Sequence, residues 1–142
     1  MATIVDIAEA VKDELNDGEF SQEFTAERHY QPVFDLADMK DLRVTVVPKG
    51  IEIAAAGRND TQNDYQIDVA VQKKIDTADT AVVDGLMTLV EEIADFFRLK
   101  RLTRYAGAVW MHTENAPIYL PDHFEQMRQF TSVLTLTFRV VA

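Results

Sequence analysis

Apolar residues near the start of the chain recur at spacings of three and four. Ile4, Ile7, Ala8, Val11 and Leu15 therefore share one face of a helix predicted over residues 4–15. Thr3 followed by Asp6 approximates a capping box, with Asp in place of Glu. Asn16-Asp17-Gly18 ends the helix, Gly18 being able to take the left-handed conformation common at helix C-termini. From Phe20 to Tyr30 the period becomes two: Phe24, Ala26, Arg28 and Tyr30 alternate with Thr25, Glu27 and His29. Pro32 cannot donate to a ladder and closes this extended segment. Residues 34–40 read as an irregular stretch or a turn of helix.

Three strands are predicted next. Leu42–Val47 is rich in β-branched residues and meets a turn signal at Pro48-Lys49-Gly50. Ile51–Asn59 resumes as a strand, and a polar loop covers Arg58–Asp64. In the third, Tyr65, Ile67, Val69 and Val71 alternate with Gln66, Asp68, Ala70 and Gln72. Strands joined this closely favour an antiparallel meander. A second helix is predicted over residues 79–99, with Val82, Val83, Leu86, Leu89, Val90, Ile93 and Phe97 on its apolar face. Ala106–Thr113 reads as a strand. Pro117 and Pro121 bracket the apolar loop Ile118-Tyr119-Leu120, and Asp122 opens a short helix to Met127. In the last strand, residues 130–141, Phe130, Leu134, Leu136, Phe138 and Val140 share one face with Ser132. Thr131, Val133, Thr135, Thr137 and Arg139 share the other. The predicted fold is α+β, one domain over residues 1–142. It has a mainly antiparallel sheet of about four to five strands, with the N-terminal helix and one long central helix packed on one face.

Composition narrows the chemistry. The chain has 142 residues and no cysteine, which excludes disulfides, thiol catalysis and zinc–thiolate sites. Its net charge of −10 repels nucleic-acid phosphate and anionic lipid headgroups. The N-terminus lacks the basic and apolar regions of a secretory signal, and no apolar run is long enough to span a bilayer. His29, His112 and His123 are isolated and read as solvated or locally bonded. Ser21 and Ser132 lack a nucleophile-elbow context, and the five glycines build no phosphate-binding loop. Gly85, inside the second helix, is expected to permit close packing against the sheet. Asp35, Asp38 and Asp41, or Asp60, Asn63 and Asp64, could gather around a cation, but neither follows the spacing of a calcium loop. The residues alone thus define an acidic α+β domain without a catalytic signature.

Two surface features stand out. Arg98, Lys100, Arg101 and Arg104 form a basic cluster within seven residues of an acidic chain. It offsets the dipole of the second helix and could contact an acidic neighbouring subunit. Ile118, Tyr119 and Leu120, held between prolines, suit burial either in their own core or against a partner.

The order of elements, with Leu42-Arg43-Val44-Thr45-Val46-Val47-Pro48, Tyr65-Gln66-Ile67-Asp68-Val69-Ala70-Val71 and Phe130-Thr131-Ser132-Val133-Leu134-Thr135-Leu136-Thr137-Phe138, resembles the tail-terminator and tail-completion proteins of long-tailed bacteriophages. The resemblance spans nearly the whole chain, in architecture rather than in an invariant motif. It implies a structural protein, not an enzyme, with no cofactor. It implies a homo-oligomer, a hexameric ring on the head-proximal end of the tail tube that stops polymerisation and meets the head connector or stopper protein. DNA would pass through without specific binding. The location implied is the virion tail or neck, assembled in the bacterial cytoplasm. Three other readings stay open: a neck or head-completion protein of the same particle, a soluble non-viral adaptor binding one protein, and a small metal-assisted hydrolase using aspartates with a histidine.

Overall fold

Helix α1 (Thr3–Asp17) forms where the three-and-four spacing places it, burying Ile7, Ala8, Val11 and Leu15. Its ends differ from expectation. The N-cap is Ala2, and no side chain caps it. Gly18 sits at φ −80°, in extended rather than left-handed backbone, and its N–H donates to Leu15 O. What position 18 requires is space: a Cβ there would lie 2.8 Å from the Phe20 ring and 3.0 Å from that of Phe96. The computed structural model describes residues 2–30, 42–74, 80–99, 102, 105, 107–115 and 129–141.

The described strands are β1 (Ala26–Arg28), β2 (Arg43–Ala55), β3 (Thr61–Lys74), β4 (Val109–Glu114) and β5 (Gln129–Val141). They build one sheet in the order β1-β2-β3-β5-β4. Three of its pairings are antiparallel; β1 lies parallel to β2, so the sheet is mixed. The extended segment predicted over residues 20–30 contributes only three residues to the ladder. Asn16 holds it in place like a strand partner: its side-chain amide donates to Ala26 O (3.2 Å) and its Oδ1 accepts from Ala26 N (2.7 Å). An Arg28–Glu9 ion pair ties β1 to α1 a second time.

Pro48-Lys49-Gly50 is not a turn between two strands. It is a bulge inside one thirteen-residue strand, where the register shifts between Pro48 and Gly50. Pro48 is tolerated because the described pairing with β1 ends at Arg28↔Val46, which leaves β2 beyond that point at the edge of the described sheet.

Helix α2 (Thr80–Phe97) turns Leu86, Leu89, Val90, Ile93 and Phe97 into the same core as α1. They meet Val44 and Val46 of β2, Tyr65, Ile67, Val69 and Val71 of β3, and Phe130, Leu134, Leu136 and Phe138 of β5. Phe97 packs edge-on against Phe138, centroids 6.1 Å apart. Both helices thus cover one face of the sheet, as the alternation requires. On the opposite face Thr45, Ala70, Gln72 and Thr131 are buried at one end, and Asp64, Asp68, Thr135, Thr137 and Arg139 lie at or near the surface toward the other. Gly85 does not pack against the sheet. A Cβ there would meet only the Gln22 amide, at 3.4 Å.

Candidate assembly interface

α2 ends sooner than its sequence pattern predicts, at Phe97. Leu99 takes φ 56°, a left-handed conformation rare for a residue with a Cβ, and its side chain is 85% exposed. The chain then reverses: Leu102 N–H donates to Ala108 O (3.1 Å) and Ala108 N–H to Tyr105 O (3.0 Å), which aims the chain into β4.

Of the basic cluster and the Ile118-Tyr119-Leu120 loop, Arg98 alone is described. It is exposed at the C-terminus of α2 and pairs with Asp95 on its own helix at 2.6 Å. The charge of Arg98 is thus partly answered by a carboxylate of its own helix. Lys100, Arg101 and Arg104 lie outside the described residues, as do Ile118, Tyr119 and Leu120, Asp35, Asp38 and Asp41, and His123. Asp60, Asn63 and Asp64 do not converge. Asn63 and Asp64 are consecutive in β3 and point to opposite faces, and Asp64 is bound by Arg139 through Nε (2.9 Å) and Nη2 (3.2 Å). That contact holds the Arg139 guanidinium protonated even more firmly than usual. Among the described residues no group of three His, Asp or Glu side chains is arranged to hold a metal ion, and no helix is long and apolar enough to cross a membrane.

The surfaces that stand out lie elsewhere. Beyond the bulge every residue from Ile51 to Asp60 is exposed. Ile51 and Ile53, at 50% and 67% exposure, continue the apolar stripe of the helix-bearing face past the helices. At the opposite flank, Val109 and Met111 of β4 are exposed too. Between β4 and α2 lies an open hollow of about 310 Å³ lined by Val90, Ala94, Arg98, Trp110, Thr113 and Leu134. The Trp110 indole N–H donates to Thr113 Oγ1 (2.7 Å), and the Asn115 amide donates to Ser132 Oγ and Val133 O, which fixes the ends of β4.

Cross-strand register joins the two flanks. Ile51 pairs with Tyr65, Tyr65 with Phe138 and Phe138 with Trp110, so one level row of large apolar side chains crosses the sheet. Its middle is buried and its ends open at the two edges. The sequence marked Ile51–Asn59 as a strand, but nothing in it distinguished an exposed end from a covered one.

No family model matches the chain, and no curated protein matches its sequence. Among solved structures it is similar to a chain from the virion of a native gene transfer agent particle. The TM-score is 0.56 at 15% identity, over 99% of this chain and 98% of that one. A sheath/tube terminator of an extracellular contractile injection system in its extended state is matched at TM-score 0.48 and 16% identity. That match takes in 100% of this chain, which spans 57% of the other. The likeness is one of fold. The α+β architecture expected from the tail-terminator resemblance is the architecture found, and a virion chain shares it from end to end.

Proposed function

We propose that this chain is a structural component of a phage-type tail. In this reading copies of it, six to a ring, cap the head-proximal end of the tail tube, stop its growth and offer the ring's far side to the head connector or stopper protein. It works as part of the virion, after assembly in the bacterial cytoplasm, and not as an enzyme. The observation that carries the reading is the whole-length fold match to a chain of a gene transfer agent virion.

The electrostatics agree with it. A ring needs two dissimilar patches on each copy, because each subunit meets its neighbours head to tail. An acidic body with a basic cluster at Arg98, Lys100, Arg101 and Arg104 offers one such pair. Ile118, Tyr119 and Leu120 offer an apolar contact. A channel wall of net negative charge lets DNA pass without adhering.

Light scattering across a concentration series, followed by negative-stain imaging with and without purified tail tubes, tests the reading. Six-fold rings, or tubes capped at one end, are expected. Binding to head connectors without any effect on tube length would reassign the chain to the neck. A strict monomer that neither caps tubes nor binds connectors would end the proposal. Charge reversal at Arg98, Arg101 and Arg104 is expected to weaken ring formation.

A further inference from the structure

Besides the short outer side of β1, two edges of the sheet carry no strand partner among the described residues. β2 is paired on its outer side by β1 only as far as Val46, so Pro48–Ala55 has β3 on one side and no described strand on the other. β4 pairs with β5 alone. A free edge presents a row of unmet N–H and C=O groups, and proteins normally blunt or cover such rows. A bulge interrupts each row, at Lys49 beside Pro48 and at Met111, yet both edges still carry exposed apolar side chains: Ile51 and Ile53 on one, Val109 and Met111 on the other.

The two edges are complementary in direction, level and charge. β2, β3, β5 and β4 alternate in direction, so β4 runs antiparallel to β2. Setting the β4 edge of one copy against the β2 edge of the next would continue the antiparallel alternation. The row Ile51–Tyr65–Phe138–Trp110 shows that the edges are level, so the join would bring Ile51 beside Trp110 of the next copy. Ile51 would then cover the hollow between α2 and β4, which has room for an aliphatic side chain. On the opposite face Lys49, 4.0 Å from its own Asp68, would come diagonally beside the next copy's Glu114.

We propose that the β2 edge at Pro48–Ile53 pairs with the β4 edge, starting at Val109, of a second copy of this chain, with Ile51 closing over the α2–β4 hollow and Ile53 lying just past the start of β4. The inference rests on the ring reading above and supplies its contact. Repeated head to tail, one such join covers both of these long free edges in every copy once the ring closes, as closure of a barrel does.

The chain has no cysteine, so the contact can be trapped covalently. Glu52 and Val109 occupy the same row on the face away from the helices. Within one copy they are three strand spacings apart, roughly 14 Å, far beyond the reach of a disulfide. Across the proposed join they are directly opposite, about 4.5–5.5 Å between Cα atoms. Oxidation of the full-length Glu52→Cys/Val109→Cys variant should convert most of the monomer band on a denaturing gel into a ladder of covalent multimers. The control Asp13→Cys/Val109→Cys should give no ladder. Adding Ile53→Lys should abolish the first ladder while the circular dichroism spectrum stays native. Oligomers of native mass that yield no ladder overturn the edge pairing and leave the ring reading standing. A strict monomer without a ladder, both alone and with purified tail tubes that it fails to cap, overturns both.

Discussion

Ile67 and Ile53 lie on the same face of adjacent strands, yet Ile67 is fully buried and Ile53 is 67% exposed. The difference is helix cover. α1 has 15 residues and spans about 22 Å, while a strand of 13 residues such as β2 spans about 43 Å. Helices of this length leave part of such strands bare. One sheet therefore has a half that holds the fold together and a half whose apolar side chains at Ile51 and Ile53 stand exposed. Stability is concentrated in the first, and association is proposed for the second.

The same substitution in the two halves separates these roles most sharply. Ile67→Ala removes a side chain packed under the helices and should cost about 2–5 kcal/mol in denaturant unfolding. Ile53→Ala should change stability by no more than about 0.5 kcal/mol, as surface changes do, and should lower oligomer mass in light scattering. Comparable losses at both positions would erase the distinction.

The covered half is also tied down by polar contacts. Asn16→Ala leaves the N–H and C=O of buried Ala26 without their side-chain partner, with an expected cost of about 1–2 kcal/mol. Faster amide exchange in β1 than in β3 would be the local sign of that loss. In the opposite direction, Gly85→Ala should stabilise the chain by about 0.5–1 kcal/mol and raise the melting temperature. The added methyl meets only the Gln22 amide at ordinary contact distance, and the helix interior gains a better helix former.

The smallest effect expected is one of pH. Lys12, then Arg28, hold the Glu9 carboxyl below its ordinary value of 4.5. Because the folded value is the lower one, this stabilisation is present above pH 4.5 and is lost as the pH falls through the folded value. The pair is solvent-screened, so Glu9→Gln should cost about 0.5 kcal/mol at neutral pH. The gap between variant and parent melting curves should close as the solution is acidified below pH 4.5.

Much of this architecture was legible beforehand. The spacing of Ile7, Val11 and Leu15, and the alternations from Tyr65 to Val71 and from Phe130 to Val140, marked the elements and their buried faces correctly. Where the readings failed, the deciding contact came from far along the chain. Gly18 resembled a left-handed cap, but the approach of Phe96 is what its lack of a side chain serves. Pro48-Lys49-Gly50 resembled a turn, but pairing with β3 on both sides of it makes it a bulge. The basic cluster was plain in the sequence, whereas the exposed Ile51–Ile53 edge was not, since an isoleucine in alternation looks the same whether or not a helix lies over it.

Periodicity follows from the geometry of the backbone over a few residues, so the chain alone settled which positions face together, and its acidic balance came with composition. The neighbour of each strand, the parallel setting of β1 and the two open edges depend on how segments tens of residues apart share a limited helix cover. That competition is resolved only when the whole chain packs, and it puts Ile53 in solvent and Ile67 in the core.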